Sequence, residues 1–166
     1  MEKQQVKRIF VMKERCNGCR ICELRCSFYH EQVYSPTLSR ISVEKKEIEG
    51  YTKPKTCVIC GKCIEACPEK AITKSDLTGA ISISAKLCKG HQSCVEICPF
   101  GVMKFDDKKG LAFTCDLCAG DPQCVKYCPE EALFYMTSLE FKEYKKEEKK
   151  KLDLGEQDKP SVVPQG

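Results

Sequence analysis

The 166-residue chain carries 28 Lys and Arg against 24 Asp and Glu, a formal charge of +4, with 42% hydrophobic and 8% aromatic residues and no Trp. No stretch approaches the roughly 20 apolar residues of a membrane span, and residues 1–15 lack the apolar core of a signal peptide, so a cytoplasmic protein without direct membrane insertion is expected. The 15 cysteines are odd in number and crowd at gaps of two and three residues, which disfavours a disulfide scaffold and leaves metal sites.

In chain order, a strand is expected at about 7–12, followed by a first cysteine run, Cys16, Cys19, Cys22 and Cys26. Residues 27–50 read as polar and irregular, with a strand at about 38–45 and a charged stretch from Glu44 to Glu49. The second run is Cys57, Cys60, Cys63 and Cys67. A hairpin follows over 71–86, turning at Thr78-Gly79, because residues 80–84 alternate apolar and polar. The third run is Cys88, Cys94 and Cys98, with His91 where the pattern calls for cysteine. A second hairpin spans 102–114, turning between Asp106 and Gly110. The fourth run, Cys115, Cys118, Cys124 and Cys128, has a widened middle gap. Short helices are expected after Cys22, Cys63, Cys94 and Cys124. Pro68, Pro99 and Pro129 each follow the last cysteine of a run, and an apolar segment comes next; in the first run Ser27 replaces the proline. This is an internal repeat. Residues 138–151 read as a charged helix with Leu139, Phe141 and Tyr144 as its apolar residues, either solvated or partner-binding. Residues 153–166 read as a flexible tail or docking arm.

The spacing selects the metal. A single zinc ion takes two separated cysteine pairs. Three cysteines at i, i+3 and i+6 instead suit three corners of one iron–sulfur cube. Fifteen cysteines and His91 make sixteen donors, enough for four cubane clusters with none left over. Metal binding requires thiolates, so the loaded protein is more acidic than its formal charge, which argues against nucleic acid as a partner.

Cys57-Val-Ile-Cys60-Gly-Lys-Cys63-Ile-Glu-Ala-Cys67-Pro68 resembles a bacterial ferredoxin run, in which the fourth cysteine ligates the neighbouring cluster. The fourth run, with its wide gap, is similar to that of the four-cluster iron–sulfur subunits serving molybdenum and tungsten pterin enzymes, hydrogenases and related anaerobic complexes. The resemblance covers roughly residues 8–137. It implies an α+β fold of two bacterial-ferredoxin-like halves, with short helices and β-hairpins around four iron–sulfur clusters. Residues 1–30 with 106–140 would form one half and 31–105 the other, leaving 141–166 as charged helix and tail. By the same resemblance, one cluster takes Cys16, Cys19, Cys22 and Cys128, and its neighbour Cys115, Cys118, Cys124 and Cys26. The other half holds Cys57, Cys60, Cys63 and Cys98, then Cys88, His91, Cys94 and Cys67. Sequential pairing, each run ligating its own cluster, is the alternative.

His91 has three readings: an iron ligand in a [4Fe-4S] cluster, a bystander to a [3Fe-4S] cluster on Cys88, Cys94 and Cys67, or a surface residue beside an empty site. His30 is given no role. Nothing resembles a phosphate-binding loop, a dinucleotide fingerprint or a paired nucleophile and base. The expectation is therefore a non-catalytic electron-transfer subunit. It would work between a large catalytic redox subunit and a flavin subunit or soluble ferredoxin. The compact chain shifts the expected catalyst toward a tungsten enzyme of aldehyde-oxidoreductase or benzoyl-CoA-reductase type. A free-standing polyferredoxin and a zinc-stapled interaction module are the rivals.

Overall fold

The computed structural model describes residues 6–46, 48 and 50–155. It is a mixed α+β fold in which short helices alternate with four two-stranded antiparallel sheets. Strand β1 (Arg8–Val11) pairs with the distant β8 (Leu133–Met136), setting Ile9 opposite Tyr135 and Val11 opposite Leu133. Helix α1 (Ile21–Glu31) leads to β2 (Ser42–Lys46), which pairs with β3 (Tyr51–Lys55). After α2 (Lys62–Ala66) comes the hairpin of β4 (Ile72–Lys74) and β5 (Ile81–Ile83). After α3 (Ser93–Glu96) comes the hairpin of β6 (Lys104–Asp106) and β7 (Leu111–Phe113). Helix α4 (Gln123–Lys126) precedes β8, and α5 (Ser138–Gly155) follows it. Helix α1 packs on α4, and α2 on α3.

Both expected hairpins form. The turn between β4 and β5 uses Gly79 at φ +69°, where a Cβ would come within 2.7 Å of Val6 Cγ1. The segment after the first run is more ordered than its polarity suggests. With serine rather than proline at 27, α1 keeps its backbone donors and runs on to Glu31. Ser27 is fully buried; its hydroxyl donates to Leu24 O and accepts from Ser35 N. Strand β3 lies outside the expected elements, and its Pro54 cannot donate to a ladder. A two-stranded sheet leaves each strand an open edge that tolerates it.

The core is small and sulfur-rich. Among the described residues, Cys22, Cys26, Cys63, Cys94, Cys115, Cys118 and Cys124 are buried beside Ile9, Ile41, Val43, Ile72, Ile81, Met103, Leu117 and Leu133, and no aromatic residue is. Two clusters of buried residues form, and Cys57 and Ile59 pack against both.

The aromatic rings gather outside this core, beneath α5. Phe141 stacks on Phe10 with centroids 4.4 Å apart and lies 6.0 Å from Phe134. Tyr144 packs on Phe134 at 4.8 Å. Arg15 donates to Tyr144 Oη at 3.0 Å and to Glu148 at 2.7 Å. The helix starts with a capping box: Thr137 N donates to the Glu140 carboxylate, and Glu140 N donates to the Thr137 hydroxyl. So α5 is a docked helix rather than a solvated one, although Leu139 stays exposed. Of the tail expected over 153–166, residues from 156 on lie outside the described residues.

Phe141→Ala removes the ring that holds α5 to the β1–β8 sheet. A half-buried aromatic of this kind contributes about 2 kcal/mol. Hydrogen exchange over the α5 amides should accelerate roughly thirtyfold, while the iron content stays unchanged.

Candidate metal centres

Each cysteine run folds into a loop with the same unusual backbone. In the first three runs, Gly18, Ile59 and Gly90 stand before the second donor position with φ of +78°, +59° and +75°. Arg20, Gly61 and Gln92 stand after it with φ of +61°, +85° and +59°. Left-handed residues cost about 1–2 kcal/mol where a side chain is present. They persist only where the surroundings repay them, and here they turn successive N–H groups toward one side of the loop. His91 lies in the same backbone slot as Cys19 and Cys60. That slot is exposed in all three loops. The wide fourth loop instead has four consecutive positive φ angles, at Leu117, Cys118, Ala119 and Gly120, and its Cys118 is buried.

The last cysteine of a run is presented by a second repeated turn. Proline ends the helix, and the residue two further on takes positive φ: Lys70 (+49°), Gly101 (+60°) and Glu131 (+45°). The following amide then points back at sulfur. Ala71 N donates to Cys67 Sγ and Ala132 N to Cys128 Sγ, both at 3.3 Å. At Cys98, burial pushes the thiol up, but the amides of Val102, Met103, Phe100 and Gly101 together hold it below its ordinary value. Cys26 lacks this turn because its helix continues. Its donor is Arg40 N, at 3.2 Å, from the start of the next segment.

The four loops and four turns gather their donors into four groups. Cys16, Cys19, Cys22 and Cys128 line one small cavity. Cys57, Cys60, Cys63 and Cys98 line a second. Cys67, Cys88, His91 and Cys94 line a third. In the fourth group Cys115, Cys118 and Cys124 all lie close enough to Cys26 to feel its charge. In each group three donors come from one run and the fourth from another.

The electrostatics of these groups are those of thiols that only a metal would hold as thiolates. Burial, reinforced by neighbouring negative groups, pushes Cys22 and Cys115 up to about 12 and Cys63 and Cys118 up to about 11. Cys124 too is raised well above the usual thiol range, by burial and then by Cys115, Cys26 and Cys118. Thiolates crowded in an apolar setting repel one another and lose hydration. Positively charged iron held by these cysteines would offset both penalties. All 15 cysteines are free thiols. The Thr56 hydroxyl is buried without a partner of good geometry, and it faces Cys115, whose thiolate it favours. The donor set therefore fits iron–sulfur clusters.

The model of the 4Fe-4S dicluster domain matches residues 48–138, and a second model of the same description matches residues 15–72. The chain belongs to the 4Fe-4S dicluster domain family. As a 4Fe-4S dicluster protein it holds several 4Fe-4S clusters. It is 36% identical over 109 residues to the polyferredoxin-like subunit of aliphatic sulfonate oxidoreductase from Pyrococcus furiosus, covering 64% of this chain and 62% of that protein. It is 35% identical over 98 residues to formate hydrogenlyase subunit 2 of Escherichia coli, covering 58% and 46%. The dicluster chain thus spans 46–62% of the length of these two curated relatives. Among solved structures it is similar to a chain of the active site complex BamBC of benzoyl-coenzyme A reductase with benzoyl-CoA. That match has 26% identity, a TM-score of 0.47 and 79% coverage of each chain.

Two polar neighbours of the sites escaped sequence reasoning. Glu69, just after Pro68, lies 3.2 Å from His91 Nε2. His30, given no role above, lies 3.6 Å from Cys118 Sγ. Its partner is 88 residues away, so no local pattern could have marked it.

The turn at Lys70 makes a direct test of this architecture. Lys70→Gly relieves about 1 kcal/mol of left-handed strain and should slow bleaching of the visible absorbance in guanidinium about fivefold. Lys70→Pro cannot adopt positive φ and removes the N–H that donates to Cys67 O. It should bleach faster than the parent protein.

Proposed function

We propose that the chain is a non-catalytic electron-transfer subunit with four iron–sulfur clusters, serving a large catalytic redox subunit. The observation that carries this reading is the fourfold grouping of donors, each group joining three residues of one run to one of another. On this reading Cys16, Cys19, Cys22 and Cys128 hold the first cluster, and Cys115, Cys118, Cys124 and Cys26 the second. Cys57, Cys60, Cys63 and Cys98 hold the third, and Cys88, His91, Cys94 and Cys67 the fourth. When bound, each cluster supplies one-electron chemistry with no bond made or broken in the protein.

The contacts between groups support a linear order. Cys22 of the first group lies near Cys124 of the second, which feels its charge. The second and third groups meet where Thr56 faces Cys115 and Thr114 faces Cys57. Cys63 of the third lies near Cys94 of the fourth. Cys19 and His91 of the two end groups are exposed, as is Cys60 of the third, while all four donors of the second group are buried. Ile81, Met103 and Leu117 are buried beside them.

His91 is read as the fourth donor of its group. Support comes from its backbone slot, shared with Cys19 and Cys60, and from its place in the cavity wall with Cys67, Cys88 and Cys94. The carboxylate of Glu69 at Nε2 fixes the ring and leaves the other nitrogen available, a common arrangement for metal-bound histidine. A neutral donor in place of thiolate removes one negative charge from that group.

The partner is read as a tungsten or molybdenum pterin enzyme, with a soluble ferredoxin or flavin subunit on the other side. The polyferredoxin-like subunit of a sulfonate oxidoreductase among the relatives supports an oxidoreductase assembly. Among the described residues no helix is long and apolar enough to cross a membrane.

Anaerobically purified protein should contain about sixteen iron atoms per chain if His91 completes a four-iron cluster, and about fifteen if that site holds three. His91→Cys should shift one midpoint potential to a more negative value and leave the others in place. Pull-down from native extract should bring a larger subunit containing tungsten or molybdenum. Elution alone near 18.8 kDa would favour a free-standing polyferredoxin, and one or two zinc ions per chain would end the proposal.

A further inference from the structure

The His30 imidazole lies on the inner face of α1, its side chain only 8% exposed. Its Nε2 is 3.6 Å from Cys118 Sγ and 3.4 Å from Asp116 Oδ1. Both neighbours are acceptors when ionised, so the contact is attractive only if Nε2 carries the proton. An imidazole can present an N–H at Nε2, and here both acceptors call for it there.

Asp116 is itself fixed. Its Oδ1 accepts from Cys118 N at 3.0 Å, and its Oδ2 pairs with Arg40 Nη1 at 2.6 Å. Arg40 in turn donates its backbone N–H to Cys26 Sγ at 3.2 Å. These three residues therefore meet two donors of one group: His30 through its side chain at Cys118 Sγ, Asp116 at the Cys118 backbone N–H, and Arg40 through its backbone N–H at Cys26 Sγ. The other three groups have no histidine placed this way: the chain's only other histidine is His91. The donor atoms of His30, Asp116 and Cys118 are close enough for a mononuclear cation. The Arg40 guanidinium already occupies the Asp116 carboxylate there.

We propose that His30 is a positioning residue whose Nε2–H donates to the sulfur of Cys118 and raises the reduction potential of the cluster on Cys26, Cys115, Cys118 and Cys124. This rests on the ligand reading above. A hydrogen bond to a ligand sulfur withdraws charge and stabilises the reduced state, which is one of the protein's main levers on such potentials. The lever is longest where water is excluded, because a buried dipole is poorly screened. Cys115 and Cys124 are both buried here.

The test is an EPR-monitored redox titration of the assembled protein. His30→Phe fills the same space without a donor. It should move one midpoint potential to a more negative value, leave the remaining couples in place and keep the iron content of the parent. Unchanged potentials would overturn the proposal. Cys118→Ser separates this outcome from failure of the ligand reading. If Cys118→Ser alters one signal while His30→Phe shifts none, the hydrogen bond is wrong and the ligand stands; if Cys118→Ser alters none, the ligand reading falls as well. Should His30→Phe fail to assemble, His91→Cys leaves His30 as the sole histidine. Labelling that protein with ¹⁵N-histidine should give one reduced cluster a weak nitrogen hyperfine coupling, and its absence overturns the proposal.

Discussion

A thiol binds iron as thiolate, and burial opposes the thiolate; the whole molecule is arranged around that conflict. The thiols of Cys22 and Cys115 are pushed up to about 12. They sit among the few isoleucines, valines and leucines that the chain buries. Two-stranded sheets are marginal alone, and here four of them replace one continuous sheet. Neither the sheets nor the thin core would hold the chain against its conformational entropy. Metal charge resolves the conflict by stabilising the thiolates and cross-linking the segments that carry them. Folding and metal loading are then one process, as in other small metal-stapled domains.

The exchange of the fourth donor turns local loops into a tertiary structure. A run that closed on itself would make a bead on a string. Here Cys128 is carried back to Cys16, Cys19 and Cys22, and β8 is brought alongside β1 by the same return. Cys98 reaches the second run and Cys67 the third in the same manner. Thr56 and Thr114, each directly before the first cysteine of its run, face the other run's first sulfur. That reciprocal contact repeats the exchange at the middle of the molecule. It needs nothing more than a hydroxyl one residue ahead of a cysteine.

What the sequence makes legible is whatever is encoded within a few residues. The runs, the prolines that end their helices, and the hairpin turns at Gly79 and Gly110 are all local signals, and each corresponds to an observed element. The capping box of Thr137 and Glu140 is equally local and was readable. What stays hidden depends on distant partners. Pro54 in β3 is permitted only because the sheet has two strands. Phe141 has the pattern of an exposed helix until Phe10 and Phe134 lie beneath it. Ser27 reads as a lost proline, yet it is the reason α1 extends far enough to carry His30 to Cys118. The repeat predicts what the four loops share; their differences come from contacts between them.

Those differences fall at two kinds of position. His91 occupies a slot that faces solvent in every loop of its class, so on the proposed ligand reading imidazole in place of thiolate alters charge in a setting that water already screens. Cys26 and Cys118 belong to a group whose second donor is buried. Charge added there is not screened and must be met by fixed donors. Arg40 N and His30 Nε2 are placed to do so, and both depend on the continuation of α1 past Cys26. Exposure thus separates two devices. On the proposed reading a change of ligand suits the exposed slot shared by Cys19, Cys60 and His91, while the buried group of Cys26, Cys115, Cys118 and Cys124 calls for dipoles that do not move.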